Sequence, residues 1–265
     1  MKIISLYSGS KGNSTLISAG GATILIDAGK SALKLKQALC DAGYSPSDID
    51  AIFITHEHSD HVSALEVLLK KHHIPVHITD GAAQKLIGYD IPYLTQNLKL
   101  HTPLFKVNIK GLTVSSFVTP HDSRSSVGYR ISFEENGRLR EIGFATDVGY
   151  VTQEIISGLL GCEAVIIEAN HDVEMLKNGS YPYELKQRIL GRRGHLCNAD
   201  CALLASKLVA GGAKSILLAH ISEENNTPEI AFDEVAAAIG DDRINLATAD
   251  QYAITRLVDE KEAVC

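Results

Sequence analysis

Short apolar runs broken by polar turns recur along the chain and predict strands over residues 2–7, 14–18, 23–26, 51–55, 112–118, 127–133, 141–145, 164–168 and 215–219. Helical spacing of apolar positions is clearest over 32–42, 62–71, 199–209 and 228–239. The last of these has Pro228 in the turn that tolerates it and Thr227 placed to cap it. The first third mixes hairpin-like strands with helices, and strands crowd again between 104 and 145. That order predicts neither a regular barrel nor a doubly wound sheet, in which strand and helix alternate strictly. With no internal repeat, low-complexity segment or linker, a single α/β domain over residues 1–265 is expected.

Composition changes this picture little. The 45% hydrophobic and 22% charged residues are ordinary for a globular chain, and no apolar stretch approaches the roughly 20 residues of a membrane span. The start, MKIISLYSGS, does not read as a signal peptide, so a cytoplasmic protein without a membrane role is expected. Cys40, Cys162, Cys197, Cys201 and Cys265 are odd in number and scattered, which suits reduced thiols. A net charge of −7 argues against broad, non-specific binding to nucleic acid. One local exception is residues 186–193, where Lys186, Arg188, Arg192 and Arg193 occur without an acid, as a solvated helix face or a phosphate anchor.

Candidate chemistry is concentrated in THEHSDH, residues 55–61, directly after an apolar run. Side chains two apart in an extended segment point the same way, so His56 and His58 can share one cation, while the turn brings Asp60 and His61 to a second. Imidazole and carboxylate suit zinc, manganese or iron, and an open position on such a metal lets bound water ionise near neutral pH. Further ligands are expected at other strand ends: His121 in TPHD, Asp147 in ATDVG and His220 in LLAHIS.

These motifs, with Asp27 in ILIDAG, resemble the five ordered signatures of the metallo-β-lactamase fold, and they span most of the chain. The resemblance implies a four-layer αβ/βα sandwich with two divalent metals at one edge, between its two sheets. His56, His58 and His121 would hold one metal, Asp60, His61 and His220 the other, and Asp147 would bridge them. Asp27 would support the metal loop without ligating. Asp147 and His61 stand where lactamases of the commonest di-zinc type carry cysteine and arginine, which lowers lactam hydrolysis as a reading. His58 stands where diiron flavoproteins usually carry a carboxylate, which disfavours oxygen reduction.

VIIEANHD (165–172) and GHLCNADCA (194–202) look like the paired segments of ribonuclease Z in which a glutamate and a histidine act together on the leaving oxygen. Glu168 and His195 match those positions, which with Asp60 makes them the candidate catalytic residues. The wider pattern, SGSKGNST, the segment around 175–198 and HISEENNTPE, is similar to the WalJ/YycJ branch of the fold, small bacterial hydrolases considered to be 5′-to-3′ exonucleases on DNA. The resemblance thus implies a di-metal phosphodiesterase acting on single-stranded DNA, with a metal-bridging hydroxide as nucleophile and the Glu168–His195 pair assisting the leaving group. Ser10, Lys11 and Asn13 of the glycine-rich loop, and Lys186, Arg188, Arg192 and Arg193, are candidate phosphate contacts. The alternatives are a small thioester or lactone hydrolase of the same fold and a non-enzymatic, metal-bound regulatory protein. His72, His73, His77 and His101 are expected to be surface or packing residues, and Arg124 an exposed loop arginine or a neutraliser of substrate charge.

Overall fold

The structure, a computed structural model, describes residues 1–259. Cys265 lies outside the described residues; the other four cysteines are free thiols. In chain order the first half comprises β1 (Lys2–Tyr7), β2 (Ser14–Ala19), β3 (Ala22–Ile26), α1 (Ala32–Asp41), β4 (Ala51–Phe53), α2 (Ser59–Val62), α3 (Leu65–Leu69), β5 (Val76–Thr79), α4 (Asp80–Ile87), α5 (Pro92–Thr95) and β6 (Leu98–His101). The second comprises β7 (Lys106–Ile109), β8 (Leu112–Val118), β9 (Val127–Glu135), β10 (Arg138–Ala145), α6 (Gln153–Leu159), β11 (Ala164–Glu168), α7 (Val173–Asn178), α8 (Tyr183–Leu190), α9 (Asn198–Ala210), β12 (Ser215–Ala219), α10 (Pro228–Ile239), β13 (Asn245–Thr248) and β14 (Thr255–Asp259).

The strands form two seven-stranded sheets, ordered β14-β1-β2-β3-β4-β5-β6 and β13-β12-β11-β10-β9-β8-β7. Each sheet is half antiparallel and half parallel. Short turns join β1 to β2 to β3 and β7 to β8 to β9 to β10, so those neighbours are antiparallel. The parallel neighbours β3/β4/β5/β6 and β10/β11/β12/β13 are separated by helical crossovers, which parallel pairing requires.

The unbroken apolar runs of the sequence are explained by burial on both strand faces. Ile3, Ile24, Ile26 and Phe53 meet Val114, Tyr129, Ile131 and Ile166 of the second sheet in the central core. Their strand neighbours Ile4, Leu25 and Ile52 face outward against Leu35 and Leu39 of α1 and Leu65 and Leu69 of α3. Val165 and Ile167 likewise face α6, α9 and α10 through Leu159, Leu204 and Val235. The result is the four-layer αβ/βα sandwich that the resemblance implied. Among the described residues no helix is long and apolar enough to cross a membrane.

Two element boundaries differ from expectation. The helix expected over 62–71 is two short ones, because the Ala64 N–H donates to Ala28 O at 2.9 Å instead of continuing the ladder. The strand expected to reach residue 55 ends at Phe53, because the Thr55 N–H turns to the Asp27 carboxylate at 2.8 Å. Both departures feed the loop that carries His56 to His61. Thr227 caps α10 as expected, accepting from the Ile230 N–H.

Candidate active site

All the strands that deliver donors do so from their C-terminal ends. After β4 the chain passes through His56 and His58 into α2, whose first turn carries Asp60 and His61. His121 follows β8, Asp147 follows β10, Glu168 closes β11 and His220 follows β12. Candidate ligand atoms of His56, His58 and His121 lie within 4.8 Å of one another, as do those of Asp60, His61 and His220. Asp147 joins the halves: its carboxylate is 3.4 Å from His61 Nε2, 3.4 Å from His220 Nε2 and 3.8 Å from His121 Nε2.

Whether metals fit can be judged from unmet hydrogen-bonding capacity. The Nε2 atoms of His56, His121 and His220 and Oδ2 of Asp147 are buried without a hydrogen-bond partner among the described residues. Buried polar atoms are otherwise nearly always paired, so four such atoms in a single cluster fit a cation, to which these groups would ligate in their deprotonated forms. The donor set suits a dinuclear centre of divalent metals.

A shell of partners fixes these ligands. Fully buried Asp27 accepts from Thr55 N–H and meets His61 Nδ1 at 2.8 Å, leaving His61 Nε2 turned to the centre. It supports without belonging to either ligand group, as the resemblance implied. Glu168 does more than hold His195. Its Oε1 lies 2.7 Å from His195 Nδ1 and 3.3 Å from His220 Nδ1, while Oε2 accepts from Val148 N at 2.7 Å and Leu196 N at 3.2 Å. One carboxylate thereby orients a ligand, the residue after another ligand, and the neighbouring histidine. Asp27, Asp147 and His220 all adopt left-handed backbone conformations, with φ of 63°, 56° and 54°. Such strain costs about 1–3 kcal/mol per residue and persists where surroundings over-determine it. Packing is equally unforgiving at Gly29, where a Cβ would fall 1.8 Å from Asp60 O.

The charges divide the cluster. Burial, then repulsion from His61, His121 and His58, holds His56 well below the usual histidine range, so its imidazole is neutral and ready to ligate. Burial also lowers His121. For His61 burial pulls downward too, but the carboxylates of Asp147, Asp27 and Asp60 outweigh it and raise the group well above that range. His220 is raised against burial by Asp147, Asp60 and Glu168. Burial opposes ionisation of Glu168, yet His195 and His220 hold its carboxyl well below the usual carboxylate range.

The structure separates the proposed phosphate contacts. Ser10 and Arg188 line a cavity of ≈260 Å³ together with His58, Asp60, Asp147, His195 and His220. Lys11 is exposed and paired with Glu223 at 2.6 Å. Asn13 must be corrected: it is buried, with its side chain engaged by Gly9, Asp60 and His61, and thus supports the donor loop. Lys186 must be corrected as well, since its ammonium is spent on Lys177 O at 2.8 Å and Gly179 O at 2.7 Å. Arg192 and Arg193 border a neighbouring cavity. His171 is buried beside Asn170.

Three participants escaped the sequence reading. Asp122 lies 3.2 Å from His121 Nε2 and pairs with Arg188, tying α8 to the centre; its place directly after His121 was the available signal. Asn170 donates to His220 O at 2.9 Å, and Ser8 Oγ accepts from His220 N at 2.8 Å. Both lie in segments that carry the resemblance, SGSKGNST and VIIEANHD, but nothing local marks their contact with His220.

Comparison with known proteins agrees with this geometry. Residues 22–221 match the family described as beta-lactamase superfamily domain. Exodeoxyribonuclease YycJ of Bacillus anthracis is 36% identical over 230 residues, 85% of this chain and 84% of that protein. Exodeoxyribonuclease WalJ of Streptococcus pneumoniae is 34% identical over 230 residues, 85% and 83% of the two chains. Among solved structures, the metallo-beta-lactamase fold protein YhfI of Bacillus subtilis superposes with a TM-score of 0.71 at 15% identity, covering 96% of this chain and 98% of that one. The chain therefore belongs to the metallo-β-lactamase superfamily, in the branch of the YycJ and WalJ proteins, and is a metal-dependent hydrolase.

Proposed function

We propose that this protein is a cytoplasmic 5′-to-3′ exonuclease that hydrolyses phosphodiester bonds of single-stranded DNA. The names of its relatives point to DNA cleavage. The observation that carries the reading is the 2.7 Å contact between His195 Nδ1 and buried Glu168, set directly beside the donor cluster. An ionised Glu168 makes Nδ1 a donor and leaves Nε2 as the nitrogen available to substrate. A proton held there can pass to the departing oxygen, a step that phosphodiester cleavage needs and that thioester hydrolysis, which expels a weakly basic thiolate, needs less. Ser10 and Arg188 on the rim of the cavity would orient the scissile phosphate. Two divalent ions, zinc, manganese or iron, held by His56, His58 and His121, by Asp60, His61 and His220, and by Asp147 between them, would supply Lewis acidity that activates water and neutralises phosphate charge.

The test is degradation of a 5′-phosphorylated, 3′-labelled single-stranded oligonucleotide with manganese, with zinc and with chelator, beside the Asp60→Ala variant. Metal-dependent shortening by the wild type alone is expected, and the product ladder gives the direction. Metal-loaded protein inert on this substrate but active on S-lactoylglutathione would move the reading to a thioester hydrolase. Metal-loaded protein inert on both would favour a regulatory role.

A further inference from the structure

A second cavity of ≈510 Å³ adjoins the metal site, and its lining includes His121, Ser123, Arg124, Tyr150, Arg192 and Arg193 but no carboxylate. In a chain of net charge −7, three arginines around one cavity without an acid reverse the local sign, as a polyanion requires. The charges are available. Arg124 donates its backbone N–H to Glu57 at 2.9 Å, while among the described residues its guanidinium hydrogen-bonds to the neutral amide of Gln84. The Arg192 guanidinium lies over the Tyr150 ring, 4.4 Å from its centroid.

The walls are tied together at Gly149. Its N–H donates to Pro120 O at 2.8 Å, and a Cβ there would fall 2.3 Å from Arg192 O, so the backbones carrying His121, Tyr150 and Arg192 pack in direct contact. His121 belongs to both sites: its unpaired Nε2 joins the donor cluster while Nδ1 sits 3.1 Å from Gly194 O, in the segment that leads from Arg193 to His195. A group in this cavity is therefore one side chain away from the reacting bond.

We propose that this cavity is the subsite for the nucleotide next to the scissile bond, with Tyr150 and Arg192 forming a stacking platform for its base and Arg124 and Arg193 receiving its backbone phosphate. The inference rests on the phosphodiesterase reading and deepens it. A base can stack there only when unpaired, which makes the preferred ligand a single strand longer than one nucleotide. Stacking tolerates any base, so the subsite grips without selecting sequence.

The experiment uses metal-loaded protein and cleavage-resistant phosphorothioate oligothymidylates of one, two and four residues, with binding read by fluorescence anisotropy. Wild type is expected to gain affinity sharply from one residue to two. Tyr150→Ala should lose about tenfold in affinity for the longer ligands, and Tyr150→Phe, which keeps the ring, should lose less than about twofold. Arg193→Ala should reduce the salt dependence of binding by about one counterion. In parallel, hydrolysis of bis(p-nitrophenyl) phosphate, which carries no neighbouring nucleotide, reports on the phosphodiesterase reading. Length-independent binding, or Tyr150→Ala and Tyr150→Phe behaving alike, overturns the subsite even if that small diester is hydrolysed. Failure of wild type on the small diester and on DNA overturns the phosphodiesterase reading and with it the place next to a scissile bond, while the binding arm still decides whether the cavity holds a stacked base.

Discussion

The two halves of the donor cluster use the same imidazole ligand but back it differently. In the half formed by His56, His58 and His121, rings pack with centroids 4.5–5.1 Å apart. The outer nitrogens of two of them meet neutral groups: His56 Nδ1 is 3.0 Å from the Thr55 hydroxyl, and His121 Nδ1 is 3.1 Å from Gly194 O, while His58 Nε2 lies 3.8 Å from the partly exposed Asp122 carboxylate. In the half formed by Asp60, His61 and His220, each imidazole is backed by a fully buried carboxylate, Asp27 for His61 and Glu168 for His220. A carboxylate behind an imidazole raises its basicity as a ligand and fixes its tautomer. The second half is therefore expected to bind metal more tightly, so that in a chelator titration a metal held by the first half should leave first.

The largest effect is expected where the comparison collapses, at the carboxylate both halves share. Asp147→Ala should strip both metals and take turnover to background, whereas His58→Ala should cost one equivalent and leave the other. Metal analysis after gel filtration checks both; two equivalents retained by the Asp147 variant would break the division into halves. Next in size is His195, adjacent to the second half but outside both ligand trios. His195→Ala should lower kcat about 10²- to 10⁴-fold, the usual range for a missing general acid, with both metals retained. Loss of metal in that variant would make His195 a structural residue. Smaller again is Asp27→Asn, expected to weaken metal binding by about 10- to 100-fold in the second half only. Competition with a chromogenic chelator reads this directly.

The candidate donors were legible in the sequence because the strands that lead to them are dense in branched apolar residues, and strand ends are where a sandwich converges; their grouping into two trios came from the family resemblance. The sheets were legible for the same reason: their central strands are buried on both faces and read as unbroken apolar runs. The sequence said much less about 72–104 and 146–198. There β5 and β6 have only four residues each, and α4 to α8 are short, with α8 carrying no fully buried residue, so their periodicity is weak. Caps were the available signal, since Thr79, Thr152 and Asp172 each accept from the N–H three residues on. The phosphate contacts misread at Asn13 and Lys186 share one cause. A polar side chain near a site is as readily consumed by backbone carbonyls or ligand residues as offered to substrate, and only geometry distinguishes the two.

The smallest effect tests burial of an imidazole with no carboxylate at all. His77 lies at the first sheet, stacked on Phe53 at 4.6 Å and on His101 at 5.2 Å, with its Nδ1 2.9 Å from His101 Nε2. Burial, reinforced by His101 and Lys99, lowers its pKa to about 4 from 6.5. Because the folded value lies below the unfolded one, the unfolded chain binds the extra proton between those limits. Full stability is thus present above pH 6.5 and declines as pH falls towards 4. In excess chelator, so that metal release does not enter, His77→Gln should start less stable at pH 7.5 through lost stacking but lose less on acidification than wild type. Urea midpoints at pH 7.5, 6.5, 5.5 and 4.5 give the two slopes. Parallel slopes would mean that His101 or water already accommodates the charge, and that burial without a carboxylate does not by itself keep an imidazole of this fold neutral.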